Sequence, residues 1–241
     1  MSRKFEVHAE TPIEGTPEQV WDAVTTGNSG WLWPVEMEPK LGGTGPWGAV
    51  VTAWEPPTHY ANHMEGEGGF YNTLDYQIEE RSDGKTWVRY MHAGIFLQDM
   101  DDSAWANQYD GVLKHTEFYQ HTLAEYVEHF AGQQAEYADV QGPASSATAG
   151  SFTLLQRAIG ASEASVGEAV SFTVPGKGEV SGVLDYSTEH FAGIRTEQAL
   201  YRFFGRDAFG SVVGLAIHQF KGETAEASWQ DWLNSLYPTS D

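Results

Sequence analysis

The 241-residue chain contains no cysteine and has far fewer basic than acidic residues. Without cysteine, neither a disulfide framework nor thiolate chemistry is available. The 13 Lys and Arg residues stand against 34 Asp and Glu, which gives a formal net charge of -21. A surface of that sign repels phosphate groups, so we expect neither nucleic acid nor an anionic membrane as a partner.

Long apolar segments are also missing. No stretch approaches the roughly 18 consecutive apolar residues of a transmembrane helix. The N-terminal sequence MSRKFEVHAE has basic residues but no apolar core behind them, unlike a secretion signal. These features favour a cytoplasmic protein. A hydrophobic content of 41% is nevertheless enough to bury a core, either in one large domain or in an ordinary domain with a smaller unit.

Motifs for nucleotides, zinc proteases and serine hydrolases are absent, because the chain has no Walker loop, no H-E-x-x-H and no G-x-S-x-G. The segment GTGPWG, residues 43–48, has dinucleotide-loop spacing, but it precedes a strand-like run and contains Pro46. His59, His63 and Glu65 share one face of the next strand and could hold a metal, although structural histidines are commoner. We therefore predict no cofactor and no metal ion.

The sequence of the first half of the chain predicts a strand, a short helix, an antiparallel meander and a long helix. Thr16, Pro17 and Gln19 form a capping box with proline at the first helical position, so a short helix starts within TPEQVWDAVT. Asp83–Gly84 predicts a hairpin between FYNTLDYQIEE and KTWVRYMHAGIF. Apolar residues at helical spacing over residues 103–130 predict one long amphipathic helix against the sheet.

This order of elements resembles the START-like, or SRPBCC, superfamily, whose helix-grip fold is shared with the birch-pollen allergen. The resemblance is carried by TPEQVWDAVT, by AWEPPTHYANH, and by TLDYQIEERSDGKTWVRYMHAGIF leading into YDGVLKHTEFYQHTLAEYVEHF. More narrowly, the sequence is similar to bacterial homologues of a heat-shock chaperone ATPase activator. The resemblance covers about residues 4–130. It implies an α+β fold in which a curved antiparallel sheet wraps a long helix and leaves an internal cavity.

Strand alternation predicts which side chains face that cavity. Tyr76 and, on the next strand, Tyr90 and His92 are expected to point inward. Aromatic residues supply apolar lining with polar tips, although each of them could equally belong to the core. Tyr71 and Trp105 belong to the same aromatic set. The predicted ligand-binding residues are Trp31, Trp33, Tyr76, Tyr90, His92, Phe96, Tyr109 and Tyr119.

His92 allows three interpretations. It can be a buried structural histidine with a backbone or hydroxyl partner, a polar anchor for a ligand, or an acid or base. Tyr90 and Asp110 would be its catalytic companions in the last case. The first interpretation is the commonest one for a buried histidine.

Three functions follow from the resemblance and the residues. We favour non-catalytic binding of a hydrophobic or aromatic small molecule, which a strongly aromatic pocket would support. The first alternative is a small-molecule enzyme of the cyclase, hydrolase or antibiotic-inactivating type, which a contact between His92 and a carboxylate would support. The second alternative is a chaperone-interaction module, which an exposed apolar patch would support.

A stretch of small and polar residues at 133–150 predicts a linker between a domain of residues 1–132 and a smaller α+β unit of residues 151–241. Within the second unit, GVLDYSTEHFAGIR (182–195) echoes AVVTAWEPPTHYANH (49–63) of the first. Either the unit is a partial copy that lacks the first strand and the short helix, or the two hairpins are alike by chance. A partial copy exposes one sheet face, so we expect it to serve as a lid on the first domain or as the contact of a homodimer.

Overall fold

The computed structural model describes residues 3–98 and 101–237. Within them the chain has two antiparallel sheets and four α-helices, one of them long, so the predicted α+β class is confirmed. The chain divides into two compact units, Met1–Gln134 and Ala135–Asp241. Among the described helices, none combines the length and the apolar character that crossing a membrane requires.

The first unit is a strand, a short helix, a four-stranded meander and a long helix. Its elements are β1 (Arg3–Ile13), α1 (Pro17–Val24), β2 (Val50–Glu55), β3 (His59–Glu65), β4 (Tyr71–Glu80), β5 (Thr86–Phe96) and α2 (Asp102–Phe130). The strand order is β1-β5-β4-β3-β2, so the first strand pairs antiparallel with the last strand of the meander.

The capping box at the start of α1 is present as predicted. The Thr16 hydroxyl accepts a hydrogen bond from the Gln19 backbone N–H at 3.3 Å, and the Gln19 side chain accepts from the Thr16 backbone N–H at 2.9 Å. The helix has only 8 residues, too few to be stable in isolation. Its apolar face is buried at Val20 and Trp21, and the Trp21 ring packs edge-on against Trp54 at 4.8 Å. Tertiary burial therefore stabilises α1.

Helix α2 is buried unevenly along its length. The described side chains of residues 102–108 are all exposed, whereas Leu123, Val127 and Phe130 near the C-terminal end are buried. Because the apolar stripe is concentrated in the second half of the helix, that half covers the sheet more completely than the first half does.

The second unit has the same order of elements with one more strand. Its elements are β6 (Glu136–Gln141), α3 (Ser151–Ala158), β7 (Ala169–Val174), β8 (Gly178–Ser187), β9 (Phe191–Arg195), β10 (Ala199–Phe204), β11 (Gly214–Gln219) and α4 (Glu226–Leu236). The strand order is β6-β11-β10-β9-β8-β7, so again the first strand pairs with the last. Phe152 and Leu155 of α3 and Trp229 and Leu233 of α4 pack into one core with the sheet.

The structure corrects the predicted linker and the predicted partial copy. Residues 133–150 contain β6, which pairs with β11 along its whole length. The second unit therefore has a first strand, β6, and a short helix, α3, the two elements that a partial copy was expected to lack. Sequence patterns missed both elements because β6 buries only Ala138 and Val140, and because α3 begins after the left-handed Gly150 with no side-chain cap. The reason for expecting a lid or a homodimer, an incomplete sheet, no longer applies.

The β2–β3 and β8–β9 hairpins, whose sequences are similar, also share an irregularity in strand pairing. In the β2–β3 pair the register shifts between Val51 and Ala53, and in the β8–β9 pair it shifts between Leu184 and Tyr186. A β-bulge inserts one extra residue and bends the strand locally. The two register shifts thus lie at corresponding points of the β2–β3 and β8–β9 hairpins.

Candidate functional site

The inner face of the first sheet, on the side of α2, carries a row of aromatic side chains. Trp54 lies opposite Tyr60, Tyr60 opposite Tyr76, and Tyr76 opposite Tyr90 in the strand register. Consecutive ring centroids are 6.0, 5.9 and 4.8 Å apart, within the range of favourable aromatic pairs. We call these four residues the aromatic row. It extends across β2, β3, β4 and β5 with one ring from each strand.

The hydroxyl groups of the aromatic row are hydrogen-bonded and stay protonated. The Asn62 amide donates to the Tyr60 hydroxyl at 3.0 Å, and the Tyr76 and Tyr90 hydroxyls share a hydrogen bond. Burial raises the pKa of all three tyrosines, because the charged phenolate would lose its hydration. The row is therefore an apolar surface with neutral hydroxyl groups at physiological pH.

His92 lies next to the aromatic row, two residues beyond Tyr90 on β5. Its Nε2 is 2.7 Å from Oδ1 of Asn72, and its ring meets the edge of Phe5 at 5.0 Å. Because a carbonyl oxygen only accepts, Nε2 carries the proton and donates, and Nδ1 is left as an acceptor. Burial lowers the pKa of His92 to about 4. At pH 7 only about one His92 side chain in a thousand is then charged.

Burial along the inner face shows a closed end and an open end. Ile78 and Val88, on one side of the aromatic row, are 3% and 0% exposed. On the other side Asn72, Leu74 and His92 are each partly exposed. The exposed first turns of α2 leave the same side of the sheet less covered. We call this less covered part of the inner face, at Asn72, Leu74 and His92, the cleft.

The helix side of the cleft is also aromatic. Tyr119 of α2 is close enough to Tyr90 to raise its pKa. The ring of Trp33 meets Tyr119 edge-on at 5.6 Å and lies 5.5 Å from the ring of Trp47. Trp33 is half-buried and connects the interior of the cleft to the surface.

Five of the predicted ligand-binding residues are thus in or beside the cleft: Tyr76, Tyr90, His92, Tyr119 and Trp33. Phe96 lies at the open end, where it stacks on Phe5 at 4.7 Å. The inward orientation expected for Tyr76, Tyr90 and His92 agrees with the strand register. Whether these residues bind a ligand stays a prediction.

Other predicted residues are engaged elsewhere. Trp31 is 2% exposed and its indole N–H donates to a backbone carbonyl of α1. The Tyr109 hydroxyl donates to a backbone carbonyl of β1 at 3.1 Å. Asp110 forms an ion pair with Lys114 at 2.9 Å, not with His92, whose partner is an amide. The side chain of Trp105 lies outside the described part of the structure.

The histidines considered as metal ligands lie on the outer face of the sheet. His59 pairs with Asp75 at 2.9 Å, and His63 contacts the hydroxyl of Thr73 at 2.7 Å. The ring of Tyr71 stacks beside His63 on this face. A different trio, Glu125, Glu128 and His129 on α2, brings its ligand atoms within 4.8 Å of one another and could hold a cation. Glu128 and His129 are exposed.

Sequence reasoning missed four residues of the site: Trp54, Tyr60, Asn62 and Asn72. Alternation alone places Tyr60 and Asn62 on one face of β3. It does not tell which residue of the neighbouring strand stands opposite, because that depends on the pairing register. The aromatic row and the contact between His92 and Asn72 are visible only once the register is known.

No family model and no curated protein matches the chain. Among solved structures, DynU16, a protein of the dynemicin biosynthetic locus, is 14% identical with a TM-score of 0.36, and the alignment covers 96% of this chain and 97% of that one. CalU16 from Micromonospora echinospora is 17% identical with a TM-score of 0.39, covering 52% and 74%. The Staphylococcus aureus protein of unknown function SA2116 is 12% identical with a TM-score of 0.40, covering 51% and 94%.

Proposed function

We propose that the first unit binds a hydrophobic or aromatic small molecule in the cleft between its sheet and α2. The observation that carries the proposal is the aromatic row, four rings aligned across four strands, beside a partly exposed polar pair at the open end. Ligand sites are mostly apolar concavities with a few polar groups that fix orientation. The aromatic row supplies the apolar surface, and His92 with Asn72 supplies the orientation.

The polar groups favour a neutral ligand with a hydroxyl or amide N–H. Among the described inner-face positions of β1–β5, Arg3 at the start of β1 is the one Lys or Arg, and its guanidinium already forms an ion pair with Asp102 of α2. The free acceptor of neutral His92 suits a hydroxyl donor, and an oxygen on the ligand can accept from the Asn72 amide. The overall negative charge of the protein further disfavours an anionic ligand.

The same geometry favours binding over acid–base catalysis. A histidine acting near neutral pH needs a pKa close to 7, which a neighbouring carboxylate commonly provides. His92 has an amide partner and a pKa lowered to about 4. It is therefore a weak base and is almost never present as an acid at pH 7.

We further propose that the first unit belongs to the START-like superfamily. The order of strand, short helix, meander and long helix supports assignment of the first unit to the START-like superfamily. Kinship with bacterial homologues of the chaperone ATPase activator is a statement about ancestry, and no role follows from it because one fold hosts many functions.

Titration with aminoanthracene, a neutral three-ring fluorophore that brightens in apolar surroundings, tests the proposal. Wild-type protein should bind it, and His92→Ala should weaken binding by about 0.5 to 1.5 kcal/mol, the worth of one hydrogen bond. His63→Ala, which removes a histidine from the outer face of the same sheet, should leave the affinity unchanged. The proposal is wrong if wild-type protein does not bind the fluorophore, or if both variants weaken binding equally.

A further inference from the structure

We propose that residues 43–48, which we call the entrance loop, hold Trp47 at the mouth of the cleft so that its ring stacks on the ligand. Trp33 and Trp47 then form an aromatic clamp, and the ligand class is a flat polycyclic aromatic molecule. This inference rests on the proposed function of the cleft and adds the residue that selects for ring shape. It also gives a role to the glycine-rich GTGPWG segment, which is followed by strand β2 and does not open an α-helix.

The entrance loop lies beside the inner face of the sheet. It runs along the edge of β2, where the Gly42 N–H donates to the Val51 carbonyl at 2.8 Å and the Val51 N–H donates to the Gly43 carbonyl at 2.9 Å. A methyl group added to Gly45 would lie 3.5 Å from Cβ of Asn62. Asn62 is the residue that binds the Tyr60 hydroxyl. The loop therefore forms a wall of the cleft at one end of the aromatic row.

Trp47 combines two unfavourable features. Its backbone is left-handed, with a φ of 54°, a conformation that residues with a Cβ atom rarely adopt. Its side chain is 58% exposed, although it is the largest apolar side chain available. Strained backbone positions cluster at active sites and ligand-binding sites.

A continuous set of ring contacts leads from Trp47 to the interior. Trp47 lies 5.5 Å from Trp33, and Trp33 meets Tyr119 at 5.6 Å. Tyr119 in turn lies near Tyr90 of the aromatic row. A ligand that rests on the row and extends past Trp33 therefore reaches the open surface of the Trp47 ring.

The chemistry of these surfaces selects flat rings over alkyl chains. Two indoles and the tyrosines present π faces, which gain offset-stacked or edge-on contacts with an aromatic ligand beyond simple burial. An aliphatic chain gains only the burial of its apolar area. Loss of Trp47 should therefore reduce affinity for a polycyclic aromatic more than affinity for an aliphatic molecule of similar size.

The experiment compares Trp47→Gly with wild-type protein. Glycine adopts a φ of 54° without strain, and this relief offsets the entropy that glycine adds to the unfolded chain, so the unfolding temperature should change little. The same substitution should weaken aminoanthracene binding by about five- to tenfold. Affinity for dodecanol, measured by displacement of the fluorophore, should change by less than about twofold. Leu41→Ala, at a side chain that is 67% exposed, is the matched control and should change neither affinity.

The outcomes separate this inference from the proposed function. If aminoanthracene binds and His92→Ala weakens it while Trp47→Gly does not, the cleft binds ligands and the aromatic clamp is refuted. If Trp47→Gly lowers the unfolding temperature and weakens dodecanol as much as aminoanthracene, Trp47 has a packing role and the clamp is again refuted. If wild-type protein binds neither probe, both proposals are refuted.

Discussion

The two units share a topology and differ in what their sheets carry on the inner face. In the first unit, tyrosines, His92 and Asn72 line a cleft that is partly exposed at one end. In the second unit, the corresponding face is filled by buried apolar side chains such as Leu184, Ile194 and Phe203, packed with Trp229 of α4. The same framework therefore leaves part of the inner face exposed in the first unit and carries a buried apolar core in the second. The side chains on the inner face, and not the strand topology, determine this difference between the units.

The second unit contains a buried ion pair. At the bulge of β8, Asp185 forms an ion pair with Arg202 of β10, 2.6 Å between the oxygen and nitrogen atoms. Gly193 of β9 lies between them, and a methyl group there would collide with both side chains. By register, Ala61 of β3 is the matching position in the first unit, where no such pair must be accommodated.

The largest expected effect tests whether the short helix closes the first unit. Trp21→Ala removes a ring that is 7% exposed and packs on Trp54, so unfolding of the first unit should cost about 3 to 5 kcal/mol less. Guanidinium denaturation followed by circular dichroism measures the change. Trp87→Ala, on the outer face of β5, is the control and should lower the free energy of unfolding by a smaller amount than Trp21→Ala does. Equal losses for the two variants would contradict a closing role for α1.

Gly193→Ala should have the next largest effect, in the second unit. The added methyl group forces Arg202 and Asp185 apart, and overpacking of this kind costs about 1 to 3 kcal/mol. Ala61→Gly, the reverse change at the matching position of the first unit, separates the loss of space from the glycine backbone effect. A Gly193→Ala protein with wild-type stability would show that the buried ion pair does not depend on this glycine.

The smallest expected effect is a pH dependence confined to the first unit. The folded-state pKa of His92 is about 4 and the unfolded value is about 6.5, so the unfolded chain binds more protons between these values. The free energy of unfolding has its full value above pH 6.5 and decreases as the pH falls toward 4. We expect the free energy of unfolding to decrease by about 1 kcal/mol between pH 7 and pH 5, a value that already allows for the partial exposure of the ring. His92→Gln should remove this component, and an unchanged pH profile would contradict a neutral buried His92.

Local patterns in the sequence predicted the elements that have local causes. The capping box at Thr16 and the alternation around Tyr90 depend on residues only a few positions apart, and both are present in the structure. Strand β6 and helix α3 were missed because their stability comes from tertiary packing and not from propensity or a side-chain cap.

Pairwise contacts of the site depend on register and could not be predicted. The sequence suggested Asp110 as the companion of His92, because both were expected near the long helix. In the structure, Asp110 is engaged one helical turn away by Lys114, an arrangement favoured by their spacing of four residues. The partner of His92 is instead Asn72, from a strand 20 residues earlier in the chain.

The pairing of first with last strand has a consequence for folding during synthesis. Strand β1 has no sheet partner until β5 has been made, and β6 has none until β11 has been made. Each unit therefore closes late, through contacts distant in sequence, which slows folding and leaves an unpaired strand edge exposed meanwhile. Because the first unit is complete before β6 appears, β1 occupies the edge of β5 first. The order of synthesis thus favours pairing of β1 with β5 before β6 can compete for that edge.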